Sequence, residues 1–233
     1  MTIKRFFCLG EGYLYRLGSV SVLSSEIHIV RHGIVDYQVA WNEQRKIHAE
    51  IAENNAPNTL ILLEHPSVYT AGRRTENSER PKNGIDVVDV DRGGKITWHG
   101  PGQIVGYPII RLAKRNEVVG FVRLIEEVLI EVLKEFGIVA TQFPGNSGVW
   151  IRDQKGDRKI AAIGIRVAKG VTMHGFALNV NPDLTAFNEI IACGLPDVIT
   201  TSMALELGRA ITIAEVTPIL EKHLLPALAR VSV

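Results

Sequence analysis

The chain has 233 residues and is 46% hydrophobic, enough for one substantial core and short for two full ones. Lys and Arg number 26 against 25 Asp and Glu, and the net charge of +1 excludes the broad basic field expected of a nucleic-acid or anionic-membrane binder. The two cysteines exclude a disulfide scaffold, and there is no CxxC, HExxH or His/Cys cluster to suggest a metal.

The opening stretch, MTIKRFFCLGEGYLYRLG, makes a poor signal peptide: its apolar patch is cut by Gly10-Glu11-Gly12 and again by Arg16. Nothing in the chain approaches the roughly 18 consecutive apolar residues of a membrane span. A cytoplasmic protein is expected, with residues 1–24 an extension and 25–233 a single domain. Cys8, inside the extension, is given no role.

From Asp36 to Glu53 the spacing of Tyr37, Trp41, Gln44, Ile47, His48 and Ile51 predicts a helix, closed by Pro57. Thr59–Glu64 (TLILLE) is a short apolar run that reads as a buried strand, and His65–Pro81 as a polar loop. Ile85–Val90 is a strand leading into DRGGKITWHGPGQ, and IVGYPII is the next strand. Val118–Phe136 carries the clearest helical stripe, stopped at Gly137. Short strands are expected at Ile138–Gln142 and Gly148–Ile151. Lys159–Ala168 and Val171–Val180 form a hairpin around Lys169-Gly170. Pro182 to Pro196 is irregular, and Thr212 with Glu215 makes a capping box for a last helix ending near Leu224. Strands and helices mix without strict alternation, so a mixed sheet flanked by helices is expected.

Phosphate-loop, dinucleotide and nucleophile-elbow motifs are absent. Cys193, in EIIACGLPD, reads either as a small buried hydrophobe or as a thiolate that needs a positive neighbour. Lys159 opens the apolar run KIAAIGIRVA. It either snorkels to solvent from a strand end or sits desolvated as a base. His99 and His174 each precede glycine and suit structural or catalytic use. The Arg92-Gly93-Gly94 turn is a tight loop or an anion-binding nest of backbone N–H groups.

Taken together, GIVDYQVAWNEQ, LLEHPSVYTAGRR, DRGGKITWHGPGQIVGYPI, FPGNSGVWI, KIAAIGIRV, MHGFALNVNPDL and IIACGLPDVITTSM resemble one family, the lipoyl(octanoyl) transferases. These share the fold of the biotin/lipoate protein ligases. The likeness runs from about Ile27 to Leu224. It implies an α/β (α+β) domain like the catalytic domain of those ligases. It also implies an enzyme that moves an octanoyl (or lipoyl) group from acyl carrier protein to a lysine of a lipoyl domain through a cysteine thioester. Acceptors would be the lipoyl domains of 2-oxoacid dehydrogenases and the glycine cleavage H protein. The resemblance places the catalytic pair on Cys193 and Lys159. It places acyl binding on Arg92, Gly93, Gly94, Lys95, Ile96, Thr97, Trp98 and His99, on Ala162, Ile163 and Gly164, and on Gly175, Phe176 and Ala177. No cofactor, metal, nucleic acid or membrane is implied, and a monomer is expected. Trp98 stands where tyrosine is more usual, which keeps an aromatic ring there.

Gly93, Gly94, Gly100 and Gly102 are expected to let backbone line a tunnel for the acyl tail. Arg73, Arg74, Arg92 and Arg166 are expected to form a basic rim for an acidic carrier. The alternatives are an ATP-dependent lipoate or biotin protein ligase on the same fold, or a non-catalytic binding protein for lipoyl domains or acyl carriers.

Overall fold

The computed structural model describes residues 26–81, 85–115, 117–191 and 199–233. The whole 1–24 extension, with Cys8, lies outside that set, as does Cys193.

One mixed sheet organises the chain. Its strands are β1 (His28–Ile34), β2 (Thr59–Glu64), β6 (Gln103–Ile109), β7 (Thr141–Phe143), β8 (Asn146–Asp153), β9 (Gly156–Ala168), β10 (Val171–Asn179) and the two-residue β11 (Ile199–Thr200). They lie side by side in the order β1-β2-β6-β10-β9-β8-β7, with β11 added to β9. The β1–β2 and β9–β11 pairs are parallel and the others antiparallel. A second small sheet is built from β3 (Val68–Ala71), β4 (Val87–Asp89) and β5 (Thr97–His99), with β3 in the middle.

Helix α1 (Tyr37–Ala52) covers one face of the large sheet, burying Ala40 and Ile51 against Ile61, Val105, Tyr107 and Ala177. The Asp36 side chain caps it, accepting from the amides of Gln38 and Val39. The opposite face packs on α2 (Val118–Glu135) and α4 (Ile213–Val231), which also touch each other. There the apolar stripe Phe121, Ile125, Leu129 and Val132 meets Ile104, Ile160, Phe176 and Leu178. Thr212 and Glu215 form the expected capping box of α4. Short α3 (Met203–Leu207) precedes it. Among the described residues no helix is long and apolar enough to cross a membrane.

The β9–β10 hairpin turns at Lys169 and Gly170, both at positive φ (52° and 75°). Two left-handed residues in succession match the right-handed twist of the flanking strands. Three readings need correction. The 65–81 stretch holds β3 and a 3-10 turn at Asn77–Glu79 in place of a simple loop, because Tyr69, Thr70 and Ala71 are buried in the small sheet. The strand expected at 138–142 is shifted to Thr141–Phe143, since Ile138 belongs to the helix-capping turn and its amide bonds Leu133 O. The last helix runs past Leu224 to Val231 through Pro226, because Ala227 and Leu228 are buried against the core.

Candidate active site

A cavity of about 280 Å³ opens beside the β9–β10 hairpin, on the face of the sheet that α1 covers. Its floor follows from strand register. Ala162 pairs with Ala177 and Gly164 with Gly175, so four neighbouring positions carry one methyl or none. The alanines leave space above the sheet, whereas the glycines allow close approach: an added Cβ at Gly164 would lie 2.9 Å from Arg92 Cδ and 3.0 Å from Gly93 O, and one at Gly175 would lie 1.9 Å from Gly106 O. Ile163 and Phe176, paired between them, also border the cavity and reach into the opposite core.

The roof is the segment after Val90. Arg92, Gly94, Lys95, Ile96, Thr97 and His99 all line the cavity, as do Lys159 and the two hairpin segments just named. Gly93 and Trp98 of the expected acyl-binding set are not in the lining. Gly93 donates its amide to Ile165 O (3.1 Å) and docks the roof on β9. Trp98 is buried in the small sheet, donating Nε1–H to Ser67 Oγ (2.9 Å) and meeting Phe187 edge-on.

The glycines therefore divide differently from the expected tunnel wall. Of the four, Gly94 alone faces the cavity. At Gly100 a Cβ would fall 2.1 Å from the Trp98 ring, so glycine there makes room for an indole. Gly102, at φ +89°, turns against Asn181 and Pro182, with its amide on Glu64 Oε2 (2.7 Å).

The rim is also narrower than expected. Arg92 is buried, and its guanidinium donates to Thr70 O (2.7 Å), Thr70 Oγ1 (2.9 Å), Lys95 O (2.8 Å) and Gly93 O (3.1 Å). It folds the turn. Arg166 pairs with Asp91. Arg73 and Arg74 remain exposed, without an ion pair among the described residues, and Arg74 lines the cavity mouth.

Lys159 is 7% exposed. Its stem passes over Gly148, where an added Cβ would lie 2.5 Å from Lys159 Cε, and Nζ is 5.0 Å from the Trp150 ring centre. Gly148 is held from behind by Glu126, whose Oε1 accepts its amide (2.9 Å). On the other side of β9, β11 runs parallel with Thr200 opposite Lys159, and the Thr201 amide donates to Lys159 O (2.9 Å). Arg158 clamps the same corner, bonding Asp153 and Glu206 with both arms of its guanidinium. The hydrogen bonds from Arg158 hold the Asp153 carboxyl far below its ordinary range.

Residues that the sequence reading did not single out close the inner end. Tyr37 and Tyr107 line the cavity beside His99, with His65 behind them. His65 Nδ1 faces Val35 O (2.7 Å) and must carry its proton there, so Nε2 accepts from Tyr107 O–H (2.7 Å). Burial lowers the His65 pKa and lowers that of His99 strongly. His99 Nδ1–H donates to Gln103 Oε1 (3.2 Å), and Gln103 Nε2 continues to Asn179 Oδ1 (2.8 Å). Asn179 Nδ2 then reaches Thr201 O (2.9 Å), which joins the roof to the strand beside Lys159. His174 also lines the cavity, 1% exposed, with Nε2 on Asp91 Oδ1 (2.7 Å). Burial pushes the Asp91 carboxyl up, but the hydrogen bond from His174 and the charges of His174, Arg166 and Arg73 bring it below its ordinary value.

A mixed sheet with helices on both faces, holding a cavity under a glycine-rich roof, is the frame of an α/β catalytic domain. The chain belongs to the lipoyl protein ligase A/B catalytic domain family, whose model matches residues 36–225. A relative named octanoyltransferase from Salinispora arenicola is 53% identical over 207 residues, covering 88% of this chain and 97% of its own length. Another of that name, from Acidothermus cellulolyticus, is 55% identical over 201 residues, covering 84% and 91%. Among solved structures, a bipartite lipoate protein ligase from Thermoplasma acidophilum shares the fold, with a TM-score of 0.66 at 18% identity over 87% of this chain and 84% of that one.

Proposed function

We propose that this enzyme is an acyltransferase that moves an octanoyl group from octanoyl-acyl carrier protein to a lysine of a lipoyl domain, with Cys193 as nucleophile and Lys159 as its partner. Acceptors are the lipoyl domains of 2-oxoacid dehydrogenases and the glycine cleavage H protein. The observation that carries the reading is that Lys159 lines the same cavity as the three segments assigned to acyl binding. Cys193 lies outside the described residues. It precedes Ile199 by six positions in the chain, and Ile199–Thr200 pairs with Arg158–Lys159.

A thioester is already activated, so the acyl transfer needs no adenylate. The Cys193 thiolate, favoured by a neighbouring ammonium, attacks the thioester carbonyl. The tetrahedral intermediate expels the pantetheine thiolate, which takes up a proton from Lys159. The acceptor lysine must attack as a neutral amine, and Lys159, now neutral, removes its proton as the amide forms and the Cys193 thiolate leaves. Each half-reaction returns the charge that the other consumed, and the kinetics are ping-pong.

The test is intact-protein mass spectrometry after mixing enzyme and octanoyl-acyl carrier protein without ATP, beside Cys193→Ala. One octanoyl adduct, labile to hydroxylamine and absent in the variant, is the expected result. No adduct, with amide formed once ATP and free octanoate are added, places the chain among the ATP-dependent ligases instead.

A further inference from the structure

We propose that Glu126 is a positioning residue for Lys159: from the far face of the sheet it holds the β-bulge that aims the lysine into the cavity. The inference rests on the acyl-transfer reading and adds to it a residue that acts on the chemistry through Lys159.

The need for a bulge follows from where side chains point. Successive residues of a regular strand face opposite sides, so Lys159 and Ala162, three positions apart, would lie on opposite faces. Both line the cavity. Between them, Ile160 and Ala161 both turn into the core under α2 and α4. The pairing with β8 shows how. Val149 lies opposite Ala161 and Trp150 opposite Lys159, so β9 has one residue more than β8 at this step. Bulges re-aim side chains, and this one brings Lys159 to the cavity face.

Gly148, one residue before the step, carries the constraint. Its φ is +111°, a conformation open to glycine. A Cβ there would fall 2.4 Å from Ala161 O and 2.5 Å from Lys159 Cε, so the lysine stem runs where a side chain at 148 would stand. The Trp150 ring lies beside the end of that stem, with Nζ 5.0 Å from the ring centre. The Gly148 amide donates to Glu126 Oε1 (2.9 Å). Glu126 is 0% exposed, and among the described residues it is the one charged side chain that α2 buries. Arg123 holds its Oε2 at 2.5 Å. An apolar side chain would pack in this stripe without the cost of burying a charge. What the carboxylate adds is an acceptor for an amide on the strand that Lys159 lies across. Without it the Gly148 amide loses that acceptor, the bulge relaxes and the lysine loses its aim.

The experiment measures the first-order rate constant of enzyme acylation in a single turnover with octanoyl-acyl carrier protein, by rapid quench and intact mass. The amplitude counts folded enzyme, and the rate constant reports the geometry of each working molecule. Lys159→Met sets the scale. Glu126→Ala should slow acylation about ten- to a hundredfold, the effect of a misplacement near 1 Å, with the half-saturating carrier concentration unchanged. Glu126→Gln, which keeps an acceptor oxygen, should restore most of the wild-type constant. Glu126→Leu with Arg123→Met removes the ion pair as a unit and fills its space, so it should fold and be as slow as Glu126→Ala. Leu129→Ala, one turn along α2, should lower the amplitude and leave the constant. The deciding variant is Glu126→Ala in the Lys159→Met background, where it should slow acylation no further, because its action passes through the lysine. Equal slowing in both backgrounds, or a wild-type constant in Glu126→Ala or in the Leu and Met pair, overturns the positioning role. A wild-type constant in Lys159→Met, or no acyl adduct on wild type, overturns the acyl-transfer reading instead.

Discussion

Replacing His174 with asparagine should flatten the acid side of this protein's stability profile. His174 is 1% exposed, donates Nε2–H to Asp91, and leaves Nδ1 without a hydrogen bond among the described residues. Burial lowers its pKa from 6.5 to about 4, with the Asp91 hydrogen bond and charge pulling the other way. In the unfolded chain the imidazole takes up a proton near 6.5; in the folded one it does so only near 4. Between those values the unfolded state binds more protons, so stability is highest above 6.5 and falls as the pH drops toward 4. The gap is worth at most about 3 kcal/mol, at 1.36 kcal/mol per pH unit. His65 and His99, also lowered by burial, act in the same direction, so the informative quantity is wild type minus variant. Asparagine suits the site because His174 has φ +59°, a left-handed conformation that asparagine tolerates. Urea unfolding followed by tryptophan fluorescence at pH 7.5, 6.5, 5.5 and 4.5 would measure it. Wild type should lose up to about 3 kcal/mol more than His174→Asn across that range. Parallel curves would refute the assignment of a neutral buried imidazole.

Reversing both exposed cations at the mouth, Arg73→Glu with Arg74→Glu, should slow carrier-dependent turnover about tenfold or more in low salt, with the difference shrinking in high salt as the charges are screened. Equal slowing with a small-molecule thioester donor would mean that the pair acts inside the cavity and not on the carrier. Glu126→Ala should cost about 1–3 kcal/mol in urea unfolding, because it strips the Gly148 amide of its acceptor and leaves Arg123 unpaired. Glu126→Gln, which keeps an acceptor oxygen, should recover most of that loss, and no loss in Glu126→Ala would show that Gly148 finds another partner.

How far the fold was legible depended on periodicity. The stripes of α1 and α2 and the apolar run of β2 announce themselves over six or more residues, and the Lys169-Gly170 turn has a chemistry of its own. What escaped was short or ambiguous. Strand β3 has only four residues and follows a proline, and its burial depends on a second sheet that no local pattern reveals. Strand β1 is an edge strand with most residues exposed, so it carries little alternation. Pro226 reads as a stop, yet α4 continues because its last turn buries Ala227 and Leu228. The lining of the cavity was legible where it lies in motif segments, since alanines in adjacent strands leave a gap that register then aligns. Its closed end was not legible. Tyr37, His65 and Tyr107 stand far apart in sequence, and a tyrosine at a helix start looks like any other core residue until the sheet brings it to the others. Arg92 looked like a rim cation because a sequence does not show that four carbonyl and hydroxyl oxygens surround it.

Strand β9 carries Lys159 near one end, Ala162 and Gly164 in its middle and Arg166 near the other, and it pairs with β8, β10 and β11. The pairing with β8 shifts register between Val149 and Trp150, which lets Lys159 and Ala162, three positions apart, line one cavity; slipping β9 by a single residue would turn both away and put Ile163 in the place of Ala162. Such a molecule would lose the cavity and the lysine beside it. Misfolded copies should therefore be silent instead of sluggish, and a poor preparation should behave as a diluted good one, with the same Michaelis constant and chain-length preference at a lower count of working molecules.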